Sequence, residues 1–523
     1  MTLPPATRTL APVLMVVGTC SNAGKSTIVS ALCRIFQQEG WRVAPFKAQN
    51  MSNNAGVTDD GGEIGRAQML QARAARVRPT VQMNPILLKP VTDVGSQLVV
   101  LGTAVITEDA RAYYRRTAAL WPVVSSALDS LREEYDLVIA EGAGSPAEIN
   151  LRDRDLVNMR IAAHANAVTL LVGDIERGGV FAALYGTHAL LPAEQRALIR
   201  GFIINRFRGD VTLVNPGPAM LEELTGVPTL GVIPWLRDLQ LPEEDALGVP
   251  PDAPWRADAL KVAVICLPHL ANFDDIDPLR HIAGVHAQFV TTVASAGDPD
   301  LIIIPGSKAT IPDLEWMHSR GLTDWIAERA RAGVPIVGLC GGLQILGERV
   351  LDPGAIESPQ LAADGIALLP ITTELDARKT VRRTSLQVRT DSGLLAGMDG
   401  FVLDGYEIHA GITESVPARA TDGTRLNAVV AMHADDAHET LGVLSASGTV
   451  FGTYLHGLFE NDQFTTQLLA NVARLRNRPP LPAALPPRRI DDELDRLAAH
   501  LRAHVDVTQI IRWVSEQRPS ITI

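Results

Sequence analysis

Cysteine is scarce in this chain: four among 523 residues, at positions 20, 33, 266 and 340, with no C-x-x-C pair. That spacing offers no disulfide framework and fits a reducing cytoplasm. No run of about 18 apolar residues occurs, so no membrane span is expected. Basic charge is in deficit, with 47 Lys and Arg against 59 Asp and Glu and a net charge of −12. No basic cluster overrides that balance, which argues against general nucleic-acid binding. The N-terminal stretch "RTLAPVLMVVGTC" has the apolar run of a secretion signal, but Thr19 is a poor cleavage residue and the run leads straight into a phosphate-loop pattern. It reads as a first strand. Internal repeats are absent.

What is present is an ordinary globular composition, 46% apolar, in a chain too long for one hydrophobic core. Two or three domains are expected. Apolar runs alternate with helical stretches from "VLMVV" through "RVAPF", "YDLVIAEG", "AVTLLVGD", "GFIINRF" and "TLGVIPW". That is the pattern of a mostly parallel sheet covered by helices. Residues 237–259 hold several prolines and acids without periodicity and read as a linker. The alternation resumes with "KVAVICL", "AQFVTTV", "DLIIIPG" and "PIVGL", followed by β-like "GYEIHAGIT" and "TVFGTYLHG". A Pro-rich lead-in, "RPPLPAALPPRR", opens a helical tail over 479–523.

"GTCSNAGKST", residues 18–27, follows one strand and opens a helix, the setting of a phosphate-binding loop. Backbone amides of such a loop and the helix N-terminus cradle phosphate oxygens. Candidate nucleotide-binding residues are Gly18, Thr19, Ser21, Asn22, Ala23, Gly24, Lys25, Ser26 and Thr27, with Lys25 facing the β/γ-phosphates and Ser26 holding Mg²⁺. The spacing departs from the usual pattern, because Gly18 lies one place early and Thr19 occupies the expected glycine position. "YDLVIAEGAGSPAEINL" delivers Glu141 to a strand's carboxyl end, where ligands sit in parallel sheets, as a second Mg²⁺ ligand. "LLVGDIERGGVFA" repeats the arrangement with Asp174 and Glu176, and "RVAPFKAQNMSNN" brings Lys47 and Asn50 to the end of the second strand.

The second chemical feature is "VGLCGGLQILG", residues 337–347, a buried strand turning at Cys340 into a helix. A strand-to-helix turn flanked by glycines holds its central residue in a strained conformation with the side chain exposed. The adjacent helix N-terminus favours a thiolate. Cys340 is a candidate nucleophile, set against the plainer role of a small buried hydrophobe.

Taken in order, "GTCSNAGKS", "PFKAQNMSNN", "NPILLKP", "EGAGSPAEINL", "GDIERGGVFA", "PGSKAT", "GLCGGLQILG" and "GTYLHG" resemble the cobyric acid synthase family, the glutamine-dependent amidases of cobalamin biosynthesis. The N-terminal half is also similar to dethiobiotin synthetase and the C-terminal half to class I glutamine amidotransferases. The resemblance implies an α/β fold: a dethiobiotin synthetase-like, P-loop-type, mostly parallel sheet, then a class I amidotransferase-like α/β domain. It implies an ATP-dependent amidoligase domain at 1–236 and a glutamine amidotransferase domain at 260–478. Cys340 then attacks the side-chain amide of L-glutamine with His456 as its base, His409 being the rival histidine. Gly306, Ser307 and Gly341 would offer oxyanion amides. The acid usual two places after the histidine is replaced by Leu458, leaving Glu460 or a simple Cys–His dyad.

The same resemblance implies ATP and Mg²⁺ as cofactors, Lys47 at the phosphates, and amidation of the b, d, e and g carboxylates of adenosylcobyrinic acid a,c-diamide through acyl phosphates. Ammonia passing internally from the glutaminase would be the nucleophile. Asn50 and Asp155 are the weaker candidates for positioning the corrinoid. Neither nucleic acid nor membrane is an expected partner. A related amidase acting on the a and c carboxylates shares this chemistry. A partitioning-type ATPase would carry a second lysine where Cys20 stands and leaves Cys340 unexplained, and a binding module needs neither the loop nor the elbow.

Overall fold

The computed structural model describes residues 10–90, 95–242, 254–415, 441–481 and 490–518, with short stretches of strand backbone at 418–419, 425–426 and 429–433. Most of the expected linker (243–253) and of the Pro-rich lead-in (482–489) lies outside these residues.

The N-terminal sheet consists of β1 (Val13–Gly18), β2 (Val43–Phe46), β3 (Leu137–Glu141), β4 (Val168–Asp174), β5 (Ile199–Phe207) and β6 (Thr229–Pro234). Their order is β6-β5-β4-β1-β3-β2, parallel throughout. β1 and β3 are buried at every residue, which is why they read as unbroken apolar runs rather than alternating ones. Helix α1 (Lys25–Gln38) follows the loop after β1, and α2 (Arg66–Ala74) packs beside it. Because β3 lies between β1 and β2, the carboxyl ends of all three open at one place.

The second sheet begins with β7 (Leu260–Ile265), β8 (Val285–Val290), β9 (Leu301–Ile304) and β10 (Ile336–Leu339), with α3 (Gly341–Leu346) leaving β10. β11 (Ile371–Gln387) and β12 (Val402–Ser415) make a long antiparallel pair, and β13 (Val450–Thr453) returns parallel to β10.

The tail is not a separate unit. Helices α4 (Ile490–His504) and α5 (Val507–Glu516) bury Leu494, Leu497, Leu501, Ile510 and Val514 against Ile28, Leu32 and Ile35 of α1. Arg34, fully buried, reaches Asp491 at 2.5 Å and Asp495 at 3.6 Å. The last helices therefore complete the N-terminal core.

The two halves meet in a polar and apolar seam. Ala55, Val57, Leu87 and Val99 pack on Tyr406 and Ile408. Glu63 takes Lys89 at 2.5 Å and Lys379 of the other half at 2.7 Å. Burial pushes the Glu63 carboxyl up, but the two lysines outweigh it and hold it well below the usual range.

Candidate active site

At the phosphate loop, Asn22 (φ 59°) and Gly24 (φ 93°) adopt left-handed backbone that curls the chain into α1. A Cβ at Gly24 would lie 2.1 Å from the Asn205 amide, which itself donates to the Ala23 carbonyl at 3.0 Å. Ser21, Asn22, Gly24, Lys25, Ser26 and Thr27 line a cleft of about 1360 Å³. Gly18, Thr19 and Ala23 stand behind that wall. The Thr19 amide donates to the Val172 carbonyl at 2.9 Å, and the Ala23 side chain is fully buried. Lys25 folds over the loop, donating to the Cys20 carbonyl at 2.9 Å and the Gly144 carbonyl at 3.2 Å.

Glu141 is the hub of this centre. Its Oε1 accepts from Ser26 Oγ at 2.9 Å and meets Lys47 Nζ at 2.9 Å, while Oε2 accepts from Gln71 Nε2 at 2.6 Å. A carboxylate 1% exposed is tolerated only with such pairing. Ser26 and Glu141 present hard oxygen donors side by side. No cluster of three or more His, Cys, Asp or Glu able to hold a metal occurs among the described residues. That donor set fits Mg²⁺, which binds through one or two carboxylates plus substrate phosphates and keeps several waters.

The cleft extends past Tyr113, Tyr114, Arg152, Arg154 and Trp235. It exceeds the roughly 300–1,000 Å³ of a site for one small ligand. Asn50 lines it, buried, and donates to Gln68 at 3.1 Å. Asp155 also lines it, but its two oxygens accept the amides of Val157, Asn158 and Arg160 at 2.9–3.1 Å. Its carboxylate therefore organises the loop before helix 159–165. Asp174 and Glu176 are likewise engaged, with Arg206 at 3.2 Å and Arg208 at 2.9 Å respectively.

The second centre lies at the end of β10. Cys340 has φ 51° and ψ −108°, a strained elbow between β10 and α3. The turn requires glycine next to it, since a Cβ at Gly342 would come within 2.0 Å of the Ile304 carbonyl. His456 follows β13, adjacent to β10. Its Nδ1 lies 2.7 Å from Asp275 Oδ2, and the Gly457 amide donates to Asp275 Oδ1 at 2.8 Å. Burial pushes the His456 imidazolium down, but the Asp275 carboxylate and the hydrogen-bonded Cys340 side chain outweigh it and raise its pKa to about 10. The Cys340 thiol also donates to the Ile408 carbonyl at 3.4 Å. His409, the rival, is held by Glu407 at 3.3 Å and stacks on Tyr454. Leu458 is core and Glu460 pairs with Arg66, so neither is the third member.

Of the oxyanion candidates, Ser307 and Gly341 come together: a Cβ on Gly341 would lie 2.7 Å from the Ser307 amide nitrogen. Gly306 opposes Ala271 in an antiparallel bridge that the Lys308 amide extends to His269 at 2.9 Å. By the alternation of such ladders, the Gly306 amide points to Ala271 and the Ser307 amide to the opposite side. Gly306 thus supports the strand instead of supplying a donor.

Two families match this arrangement. The CobQ/CobB/MinD/ParA nucleotide binding domain matches residues 14–248, and the CobB/CobQ-like glutamine amidotransferase domain matches residues 261–464. A cobyric acid synthase of Dehalococcoides mccartyi (strain CBDB1) is 46% identical over 509 residues, covering 97% of this chain and 99% of that protein. The chain belongs to the cobyric acid synthase family. Another member, from Chloroflexus aurantiacus (strain ATCC 29366 / DSM 635 / J-10-fl), is 49% identical over 94% of this chain and 97% of its own length. The solved structure "PurLQS from Thermotoga maritima" aligns with 41% of this chain and 97% of its own at 18% identity, with a TM-score of 0.31 too low to carry weight.

In this cobyric acid synthase family member, an ATP-using amidoligase with its own amidotransferase domain, the sequence reading missed Asp275 and Gln71. Asp275 sits in the turn Phe273–Ile276, 181 residues before His456, and its only local signal is the acidic run "NFDDID". Replacing Asp275 with Asn should lower the His456 pKa, read from its ring-proton NMR shifts. Glutaminase turnover should fall about 10²-fold or more, because a misoriented base loses most of its general-base contribution. An unchanged rate would leave a Cys–His dyad as the working unit.

Proposed function

We propose that this chain converts adenosylcobyrinic acid a,c-diamide to adenosylcobyric acid, amidating the b, d, e and g carboxylates with ATP and glutamine in the cytoplasm. The observation carrying this reading is the pairing of two chemically complementary centres in one chain: the Lys25–Ser26–Glu141–Lys47 cleft and the Cys340–His456–Asp275 triad. The functional division is 1–236 for ATP-dependent ligation and 260–478 for glutamine hydrolysis, with 479–523 serving the first half.

Cys340 attacks the glutamine side-chain carbonyl carbon, and the amides of Ser307 and Gly341 receive the oxyanion. His456 delivers a proton to the departing ammonia, and water then releases glutamate from the thioester with His456 as base. In the other half, a substrate carboxylate oxygen takes the γ-phosphoryl group of ATP, and ADP leaves with the bridging oxygen. A free carboxylate would have to expel oxide, whereas the acyl phosphate expels phosphate when ammonia attacks. The loop amides, Lys25 and Lys47 offset the charge that develops on the phosphoryl oxygens. Mg²⁺ held by Ser26 and Glu141 would supply further charge neutralisation there. The size of the cleft suits a nucleotide together with a bulky, multiply substituted ring. Ammonia in bulk water is mostly protonated and unreactive, so internal transfer between the halves serves the chemistry.

Mass spectrometry of products after incubation with ATP, Mg²⁺, glutamine and each corrinoid tests this. The a,c-diamide should gain four amides through released, partly amidated species, since one site serves several carboxylates. Cobyrinic acid should react poorly, because its two extra charges fall where neutral amides are accommodated. Two amides gained by cobyrinic acid, with the a,c-diamide untouched, would transfer the assignment to the a,c-diamide synthase.

A further inference from the structure

At the seam between the halves, side chains of the ligase side reach the surroundings of the proposed glutaminase triad. Arg66 opens α2 of the N-terminal half and lies 2.5 Å from Asp274 Oδ2, next to the triad acid Asp275. It also pairs with Glu460 and lies over the Tyr406 ring, 5.7 Å from its centroid. Tyr406 in turn stacks on the His456 ring, 5.2 Å between centroids and 20° between planes. The Arg66 side chain is only 15% exposed and Asp274 2%, so the pair is withdrawn from water and its partners' positions depend on it. Two further bonds tie the same turn to the ligase half. Asn54 Oδ1 accepts from the Phe273 amide at 3.1 Å, and Asn272 Oδ1 accepts from the Ala55 amide at 3.1 Å. The Arg66 amide completes the circuit by donating to the Asn54 carbonyl at 3.1 Å.

The other end of this connection is the nucleotide centre. Five residues beyond Arg66 on the same helix, Gln71 donates to Glu141 Oε2, and Gln68 between them bonds Asn50 at the cleft. Five residues of α-helix span only about 7.5 Å and move as a unit. Gln68 Nε2 and Gln71 Oε1 are buried without a hydrogen-bond partner. Both amides can therefore change partners when Glu141 does, because each has an unsatisfied group to gain a bond.

We propose that Arg66 is a positioning residue for the Asp275–His456 pair, and that α2 makes glutamine hydrolysis respond to occupancy of the Glu141 centre. The inference rests on the proposed reading of Cys340 as glutaminase nucleophile and goes beyond it by naming the element that links the two halves. A ligand that draws Glu141 toward itself releases Gln71, shifts α2 and changes the hold of Arg66 on the turn 273–276. Coupling of this kind changes one site's behaviour about five-fold or more.

The experiment measures glutamate release by the full chain with and without ATP and Mg²⁺, omitting the corrinoid, for the wild type, Arg66→Ala, Arg66→Lys and Cys340→Ser. The wild type should hydrolyse glutamine faster with ATP and Mg²⁺. Arg66→Ala should lose that response and about ten-fold or more of kcat with little change in glutamine KM. Arg66→Lys should recover part of the rate, keeping the charge but not the planar fork. Ammonia-dependent amidation should persist in Arg66→Ala, separating positioning from general damage to the fold. The inference is overturned if wild-type hydrolysis ignores ATP and Mg²⁺, if Arg66→Ala matches the wild type, or if it loses ammonia-dependent amidation equally. Glutamate release by Cys340→Ser would instead overturn the reading beneath it.

Discussion

Replacing Cys340 with serine should abolish glutamine-dependent amidation while amidation from high ammonium continues. The hydroxyl is a far weaker nucleophile than a thiolate, and removal of the attacking atom in a triad commonly costs about 10⁴-fold or more. The substitution is nearly isosteric at an elbow whose backbone is set by Gly341 and Gly342, so the fold should survive it. Ammonium should bypass the step, because in the proposed mechanism the ligase centre uses free ammonia whatever its source. The measurement is product formation with each nitrogen donor, alongside ATP binding. Failure of ammonium to rescue a folded, ATP-binding variant would show that Cys340 acts in more than glutamine hydrolysis.

Lys25→Ala and Glu141→Ala should lose amidation from either nitrogen source. In the proposed mechanism both residues act before ammonia enters, on the phosphoryl group that activates the carboxylate. Losing one charge-stabilising group at a phosphoryl-transfer centre removes several kcal/mol of transition-state stabilisation, about 10²-fold or more in rate. Glu141→Ala also removes the carboxylate that sits 2.9 Å from the buried Lys47 ammonium. Thermal unfolding should therefore accompany the assay, and Glu141→Gln supplies a variant closer in shape. Basal glutamine hydrolysis should persist in Lys25→Ala, since Cys340 and His456 belong to the other half. Near-normal ammonia-dependent rates in either alanine variant would move the ATP centre elsewhere.

Both chemical centres are legible in the amino-acid sequence because their signals are local. "VLMVV" and "YDLVIAEG" announce strands buried on both faces, and β1 and β3 are such strands. The Gly-Lys-Ser step after a strand and the Gly-Gly step after Cys340 each encode a turn within a few residues, where backbone sterics act directly. Finer roles are less legible. Thr19 and Ala23 belong to the loop by sequence, yet one amide is drawn into the sheet and one side chain into the core. Asp155 looks like a carboxylate for a ligand, yet three neighbouring amides occupy it. For Thr19 and Asp155 neighbouring backbone takes up the hydrogen bond, and residue type alone does not say which partner wins.

By itself the sequence determined the local arrangement of the two proposed centres: a loop between strand and helix with a strand-end carboxylate nearby, and a cysteine elbow with a histidine at a strand end. Tertiary structure alone decided what joins them. Asp275 reaches His456 across 181 residues because β13 pairs with β10 and brings the histidine to the turn after β7. Helices α4 and α5 return across the whole chain to α1, drawn by the apolar stripe of Leu494, Leu497 and Leu501. Arg66 meets Asp274 only because the halves dock along the seam at Tyr406. Such pairings depend on strand order and domain docking, to which the residues on either side contribute no local preference.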